Sequence, residues 1–234
     1  MFSEKTEIQI KTWTGNLLFE YSCQDNTIKK TLEEAVKKGA NLESADLRGA
    51  NLESADLRNV YLEGAILKDT NLINTNLGGA YLGNTNLENS DLRGAYLGDV
   101  ILENAYLGNT NLKGAILGGA DLEGAILEGA NLKGAILGGI NLEGVNLRNA
   151  NLKGAKNYFN SLDFAIEIIG RQNSKIFTNK EWAILGQIII KKLCWEEIKK
   201  KLGKKLLPIL RKIDKAGWGE YLEYYKLCLK KKIK

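Results

Sequence analysis

Between residues 40 and 154 leucine occupies every fifth position, from Leu42 and Leu47 to Leu147 and Leu152, twenty-three times without an insertion. Two residues before each leucine stands a small side chain, alanine in fourteen cases and otherwise Val, Thr, Ser or Ile. Neither regular element suits this spacing. On an α-helix five residues advance about 500°, which spreads the leucines around the cylinder. On an uninterrupted strand, positions five apart face opposite ways, because side chains alternate with period two. The chain must therefore turn once per pentad. The small residue and the leucine then share the inner side of a short extended segment. The last position of each pentad is almost always Gly, Asn, Asp or Ser, as in Gly49, Asn59, Gly64, Asp69 and Gly79. Such residues suit a corner, through positive φ or an Asx-type turn.

Units such as Ala40-Asn41-Leu42-Glu43-Ser44 and Ala45-Asp46-Leu47-Arg48-Gly49 resemble the A(D/N)LXX repeats of pentapeptide-repeat proteins. The resemblance implies a mainly β fold, a right-handed quadrilateral β-helix with four pentads per coil. Here that means just under six coils, a rod about 28 Å long at about 4.8 Å per coil. An uncovered coil end would fray and would offer a sheet edge to another chain, so caps are expected at both ends.

The flanks fit that expectation. Glu7 to Thr12 alternate as a strand, Thr14-Gly15-Asn16 signals a turn, and Leu17 to Tyr21 read as the return strand, with Trp13 near the tip. Residues 26–38 have helical spacing at Ile28, Leu32, Ala35 and Val36, and Gly39 ends them. A hairpin and helix over 1–39 are thus predicted to cap a β-helix over 40–154. Residues 155–234 read as a basic, all-α domain. Helices are expected at 158–170, from the capping box Thr178-Asn179-Lys180-Glu181 onward, at Cys194–Leu202, at Leu206–Ile213 with Pro208 in the first turn, and from Tyr221 to Leu229.

Charge separates the parts. The repeat region carries fourteen acidic and eight basic residues, and residues 155–234 carry nineteen basic and eight acidic. Stacking positions twenty apart gives a column of Glu43, Glu63, Gly83, Glu103, Glu123 and Glu143. The opposite column is Glu53, Ile73, Arg93, Lys113, Lys133 and Lys153, and a third is nearly bare, with Arg58, Gly78, Gly98, Gly118 and Gly138. Arg48, Lys68 and Arg148 are expected to offset Glu43, Glu63 and Glu143 from round the corner. Glu103, Glu123 and Glu128 lack such neighbours and predict an acidic patch, either a solvated face or a dock for a basic partner. Tyr61, Tyr81 and Ile101, then Tyr96, Ile116 and Ile136, form outward apolar columns that are either a binding strip or packing between coils. The column of Asn51, Asn71, Asp91, Asn111, Asn131 and Asn151 suits an amide ladder. Inside, Thr70, Ser90 and Thr110 stack and are expected to hydrogen-bond one another.

Chemistry is sparse. The chain has no histidine, and Cys23, Cys194 and Cys228 lack metal-like spacing. No nucleophile elbow or phosphate loop appears, so no catalytic, cofactor or metal residue is assigned and the chain reads as a non-enzyme. Without a secretory leader or an apolar run near 18 residues, a cytoplasmic protein with reduced thiols and no membrane contact is expected. The leading expectation is a rigid scaffold that binds a protein through the acidic face of Glu43, Glu63, Glu103, Glu123, Glu128 and Glu143. The resemblance implies an alternative, a DNA mimic that binds DNA gyrase or a related topoisomerase. A second alternative is nucleic-acid contact through Lys199, Lys200, Lys201, Lys204, Lys205, Arg211 and Lys212.

Overall fold

A computed structural model describes residues 5–156 and 203–213. β1 (Lys5–Lys11) and β2 (Leu17–Gln24) pair antiparallel, Ile8 opposite Tyr21 and Ile10 opposite Phe19, with a register slip between Ile10 and Lys11. Alternation buries Ile10, and Leu18 and Phe19 pack against the core. α1 (Ile28–Lys37) follows. Its start is set by Thr27, whose extended backbone leaves the side chain free to accept the Lys30 N–H. Thr31, Leu32 and Ala35 face inward, and Gly39, with φ +64°, closes the helix. The helix is shorter than the expected 26–38, because Asn26 and Thr27 serve the cap.

The rod is built as the period requires. Parallel bridges join Asn41 to Tyr61, Asp46 to Ile66, and so on to Ile136 and Lys156, always twenty residues apart, so four pentads close each coil. On each side three backbone bonds tie a coil to the next, for example Leu62 N–H to Tyr81 O, Gly64 N–H to Gly83 O, and Tyr81 N–H to Val60 O, each 2.9 Å. At nearly every corner the N–H of the next small residue returns to the leucine carbonyl, as Ala65 does to Leu62 at 3.0 Å. The residue before it has positive φ throughout, between +54° and +74° from Ser44 to Gly154. Positive φ at the third turn residue alone defines a type II turn.

The Asx bonds come from a different position than the corner. It is the Asn or Asp before the leucine whose side chain accepts the N–H two residues on, as Asn41 does from Glu43 at 3.0 Å. Corner Asn and Asp side chains instead lie over the coil above. A Cβ on Gly119 would collide with the Asp99 carboxylate, and Gly119 has φ +74°, so glycine suits that corner twice over.

Leucines and small residues fill the axis, nearly all of them fully buried. The interior hydroxyls correct one expectation. Thr70, Ser90 and Thr110 do not satisfy one another; Thr70 donates to Leu67 O at 2.6 Å, Ser90 to Leu87 O at 2.5 Å and Thr110 to Leu87 O at 2.9 Å. Thr70 and Ser90 use the turn carbonyl three residues back, and Thr110 uses a leucine carbonyl of the coil beneath, so backbone acceptors take the place of the stacked hydroxyls.

The hairpin and α1 cover the edge of the first coil. Lys11 O accepts the Asp46 N–H at 2.8 Å, Glu33 Oε1 accepts the Asp56 N–H at 3.0 Å, and Lys29 Nζ donates to the carbonyls of Glu53 and Ser54 at 2.9 and 3.0 Å. The two N–H groups and the Glu53 carbonyl occupy positions that later coils satisfy with the coil beneath, as Ile66 N–H does with Ala45 O, Asn76 N–H with Ala55 O and Ile73 O with Ser54 N–H. After the rod, a 3-10 turn (Gly203–Leu206) leads into α2 (Leu207–Ile213), with Pro208 in its first turn. Ile209 is fully buried in the same apolar cluster as the coil leucines. The expected helices at 158–170, after Thr178, at 194–202 and at 221–229 lie outside the described residues, as do Cys194 and Cys228. Among the described residues no helix is long and apolar enough to cross a membrane.

Candidate functional site

On the straight part of each pentad two side chains face outward, the residue before the leucine and the one after it, and the corner residue stands between one side and the next. The rod therefore has four sides, called A to D in chain order from Asn41. Side A bears the pairs Asn41/Glu43, Tyr61/Glu63, Tyr81/Gly83, Ile101/Glu103, Asp121/Glu123 and Asn141/Glu143. It carries six carboxylates and no cation. None of the six makes an ion pair among the described residues, and Glu43, Glu63, Glu103, Glu123 and Glu143 are exposed. Among the described residues their hydrogen bonds come from amides: Asn141 Nδ2 donates to Asp121 at 2.9 Å and to Glu123 at 3.4 Å, Asn84 Nδ2 to Glu63 at 3.5 Å, and the Glu123 N–H to Asp121 at 3.1 Å.

The basic residues expected to offset this row are engaged elsewhere. Arg48 pairs with Asp46, Arg58 with Asp56 and Arg93 with Asp91, in each case two residues back on the same straight side. Side chains two apart on an extended segment point the same way, whereas a corner turns them apart. Lys68 reaches Glu88 at 3.6 Å, and Arg148 reaches Glu128 at 3.7 Å, each one coil away on side B. Glu128 accordingly stands on side B, ion-paired and half-buried, one corner round from the other five predicted glutamates. The Arg48 and Arg58 guanidinium hydrogen bonds hold the Asp46 and Asp56 carboxyls below the usual carboxylate range.

Side C carries Arg93, Lys113, Lys133 and Lys153 beside its amide column. The amide ladder forms between Asn71 and Asn51 at 3.1 Å and between Asn131 and Asn111 at 3.2 Å, and breaks at Asp91, which Arg93 occupies. On side D the Tyr96 ring folds over the bare column: a Cβ on Gly98 would lie 2.5 Å from its hydroxyl, and one on Gly78 2.8 Å from Cε1. On side A, Tyr61 and Tyr81 instead stack, centroids 4.8 Å apart and planes within 9°. Of the predicted basic patch, Lys204, Lys205 and Arg211 are exposed and Lys212 is half-buried; Lys199, Lys200 and Lys201 lie outside the described residues. Among the described residues no group of His, Cys, Asp or Glu could hold a metal ion.

The pattern that defines pentapeptide repeats, in eight copies, matches residues 38–72, 65–104, 90–129 and 125–156. The chain belongs to the pentapeptide-repeat family. No curated protein matches it. Similar solved structures include HetL, a pentapeptide-repeat protein involved in heterocyst differentiation regulation in the cyanobacterium Nostoc. It is 36% identical over 50% of this chain and 53% of HetL, with a TM-score of 0.39, so the chain spans about half of HetL's length. A pentapeptide-repeat protein of the Arabidopsis thaliana thylakoid lumen is 22% identical over 58% of this chain and 80% of that one, with a TM-score of 0.41. QnrB1, a plasmid-mediated fluoroquinolone resistance protein, is 20% identical over 51% and 69%, with a TM-score of 0.23.

Proposed function

We propose that this pentapeptide-repeat protein is a non-catalytic scaffold that holds a protein partner against side A. The observation that carries the reading is the row of six carboxylates on one side with no cation among them. Hydrogen bonds between coils hold the row rigid, so binding costs little ordering of the receptor. The opposite side is basic, which gives the rod a direction in which to orient an approaching basic surface. A pull-down from bacterial lysate with wild type and with Glu103→Lys/Glu123→Lys tests it. The reading expects bands that wild type captures to vanish with the double variant. The same bands with both proteins would remove side A from the account.

The same row supports a second reading, a DNA mimic that binds gyrase. Six carboxylates across six coils place about one charge per 4–5 Å, near one DNA strand's one per 3.4 Å but less than half the density of a duplex. Basic side C further separates the rod from a duplex, so this reading stands second. A gyrase supercoiling assay decides it. The absence of both inhibition and quinolone protection at micromolar protein would dismiss it. Contact with nucleic acid through Lys204, Lys205 and Arg211 is the third reading, and a salt-dependent DNA mobility shift addresses it.

A further inference from the structure

Side A is more than a row of charge. Tyr61 and Tyr81 stack on adjacent coils, yet remain 50% and 40% exposed. Tyr81 is covered on one face by Tyr61 and meets Ile101, its bridge partner, in the next coil. Among the described residues the Tyr61 ring makes one ring contact, with Tyr81. Its other face looks toward the first coil, where the column member is Asn41, a short side chain drawn back to the Glu43 N–H. Glu43 stands on that same coil, exposed and without an ion pair among the described residues.

The nearest carboxylate competitor leaves this face alone. Glu63 leans the opposite way, its Oε1 3.7 Å from where a Gly83 Cβ would stand. Lys38 of the adjoining cap is also engaged, because it pairs with Glu34 at 3.7 Å and lies over the rings of Phe19 and Tyr21. A half-exposed π face backed by a second ring, with a carboxylate beside it, is complementary to a flat cation. We propose that the first-coil face of Tyr61, with Glu43 beside it, receives an arginine side chain of a partner protein. This deepens the acidic-side reading and rests on it.

Arginine suits the place better than lysine. Its guanidinium is planar and weakly hydrated, stacks on an aromatic face, and keeps N–H groups at its edge for a carboxylate. An ammonium is a compact, strongly hydrated point charge that gains less from the ring. Tyr106 on side B supplies an internal control. It is as exposed as Tyr61, but no aromatic ring backs it, and the nearby Glu88 and Glu128 are ion-paired to Lys68 and Arg148.

The test titrates the full chain with capped arginine amide and capped lysine amide at low salt, following backbone amide shifts by NMR. The expected result is shifts at Glu43 and Tyr61, with arginine about threefold tighter than lysine, the size of an exposed cation–π contact. Tyr61→Leu should lose that preference, and Tyr61→Phe and Tyr106→Leu should keep it. Equal binding of the two capped residues, or unchanged arginine preference in Tyr61→Leu, overturns the Tyr61 site while leaving side A as a diffuse acidic surface. No shift on side A with either probe overturns both.

Discussion

Removing one leucine from the middle of the rod tests the packing most directly. Leu97 is fully buried, with Leu77 and Leu117 in the same place one coil below and above. Leu97→Ala removes three carbons, worth about 2.4 kcal/mol in transfer free energy alone at about 0.8 each. The hole cannot shrink easily. Coil spacing is held by the Leu77 N–H to Tyr96 O bond at 2.8 Å and the Leu97 N–H to Ile116 O bond at 2.7 Å, on backbone that closing the cavity would have to shift. A cavity term therefore adds to the transfer term, and the expected loss is about 4 kcal/mol, within the range for large-to-small core changes. Leu97→Met, which conserves volume, should cost less than about 1.5 kcal/mol. Urea unfolding followed by circular dichroism reads both. A loss below about 1 kcal/mol for Leu97→Ala, or equal losses for the two variants, would refute the claim that hydrogen bonds between coils keep the axis from collapsing.

Three further outcomes follow from the geometry. Thr75→Val removes the hydroxyl that donates to Leu52 O at 2.7 Å; because that carbonyl still accepts the Ala55 N–H at 3.0 Å, the loss should be only about 1 kcal/mol by urea midpoint. Glu33→Ala releases the Asp56 N–H from its cap, so hydrogen exchange at Asp56 should accelerate selectively, with Asn76 N–H, bonded to Ala55 O at 2.9 Å, unchanged. The depressed Asp46 and Asp56 pKa values contribute stability that is present above the unfolded value of about 3.9 and lost as pH falls through the lowered folded values. The urea midpoint of wild type should thus exceed that of Arg48→Ala/Arg58→Ala near neutrality, and the two should converge in acid; a gap that persists there would contradict the assignment.

The five-residue spacing made the coil readable because leucine has nowhere else to go: a chain that buries Leu42, Leu47 and Leu52 together must turn between them. The same logic placed the columns, since four corners return position 43 to position 63. Partners were harder to read. Arg48 and Glu43 are as close in sequence as many ion pairs, but a corner separates them, whereas Asp46 lies on the same straight segment. That local direction, and not proximity along the chain, decides which carboxylates on side A remain unpaired. The hydroxyls of Thr70 and Ser90 were misassigned for a similar reason, because a turn carbonyl three residues back outcompetes a neighbour in the stack. The Tyr61–Tyr81 column was visible as an alternative between packing and binding, and the stacked geometry serves both.

The return of the chain after twenty residues also dictates how this molecule can change length. Deleting residues 61–80 would shorten the rod by one storey and leave every surface in its original compass direction. Excising a single pentad would swing everything beyond the cut through a right angle, so that the carboxylates above it no longer lie in line with Glu43. Growth and loss in units of twenty thus keep side A in one line, while units of five would break that line with the interior intact.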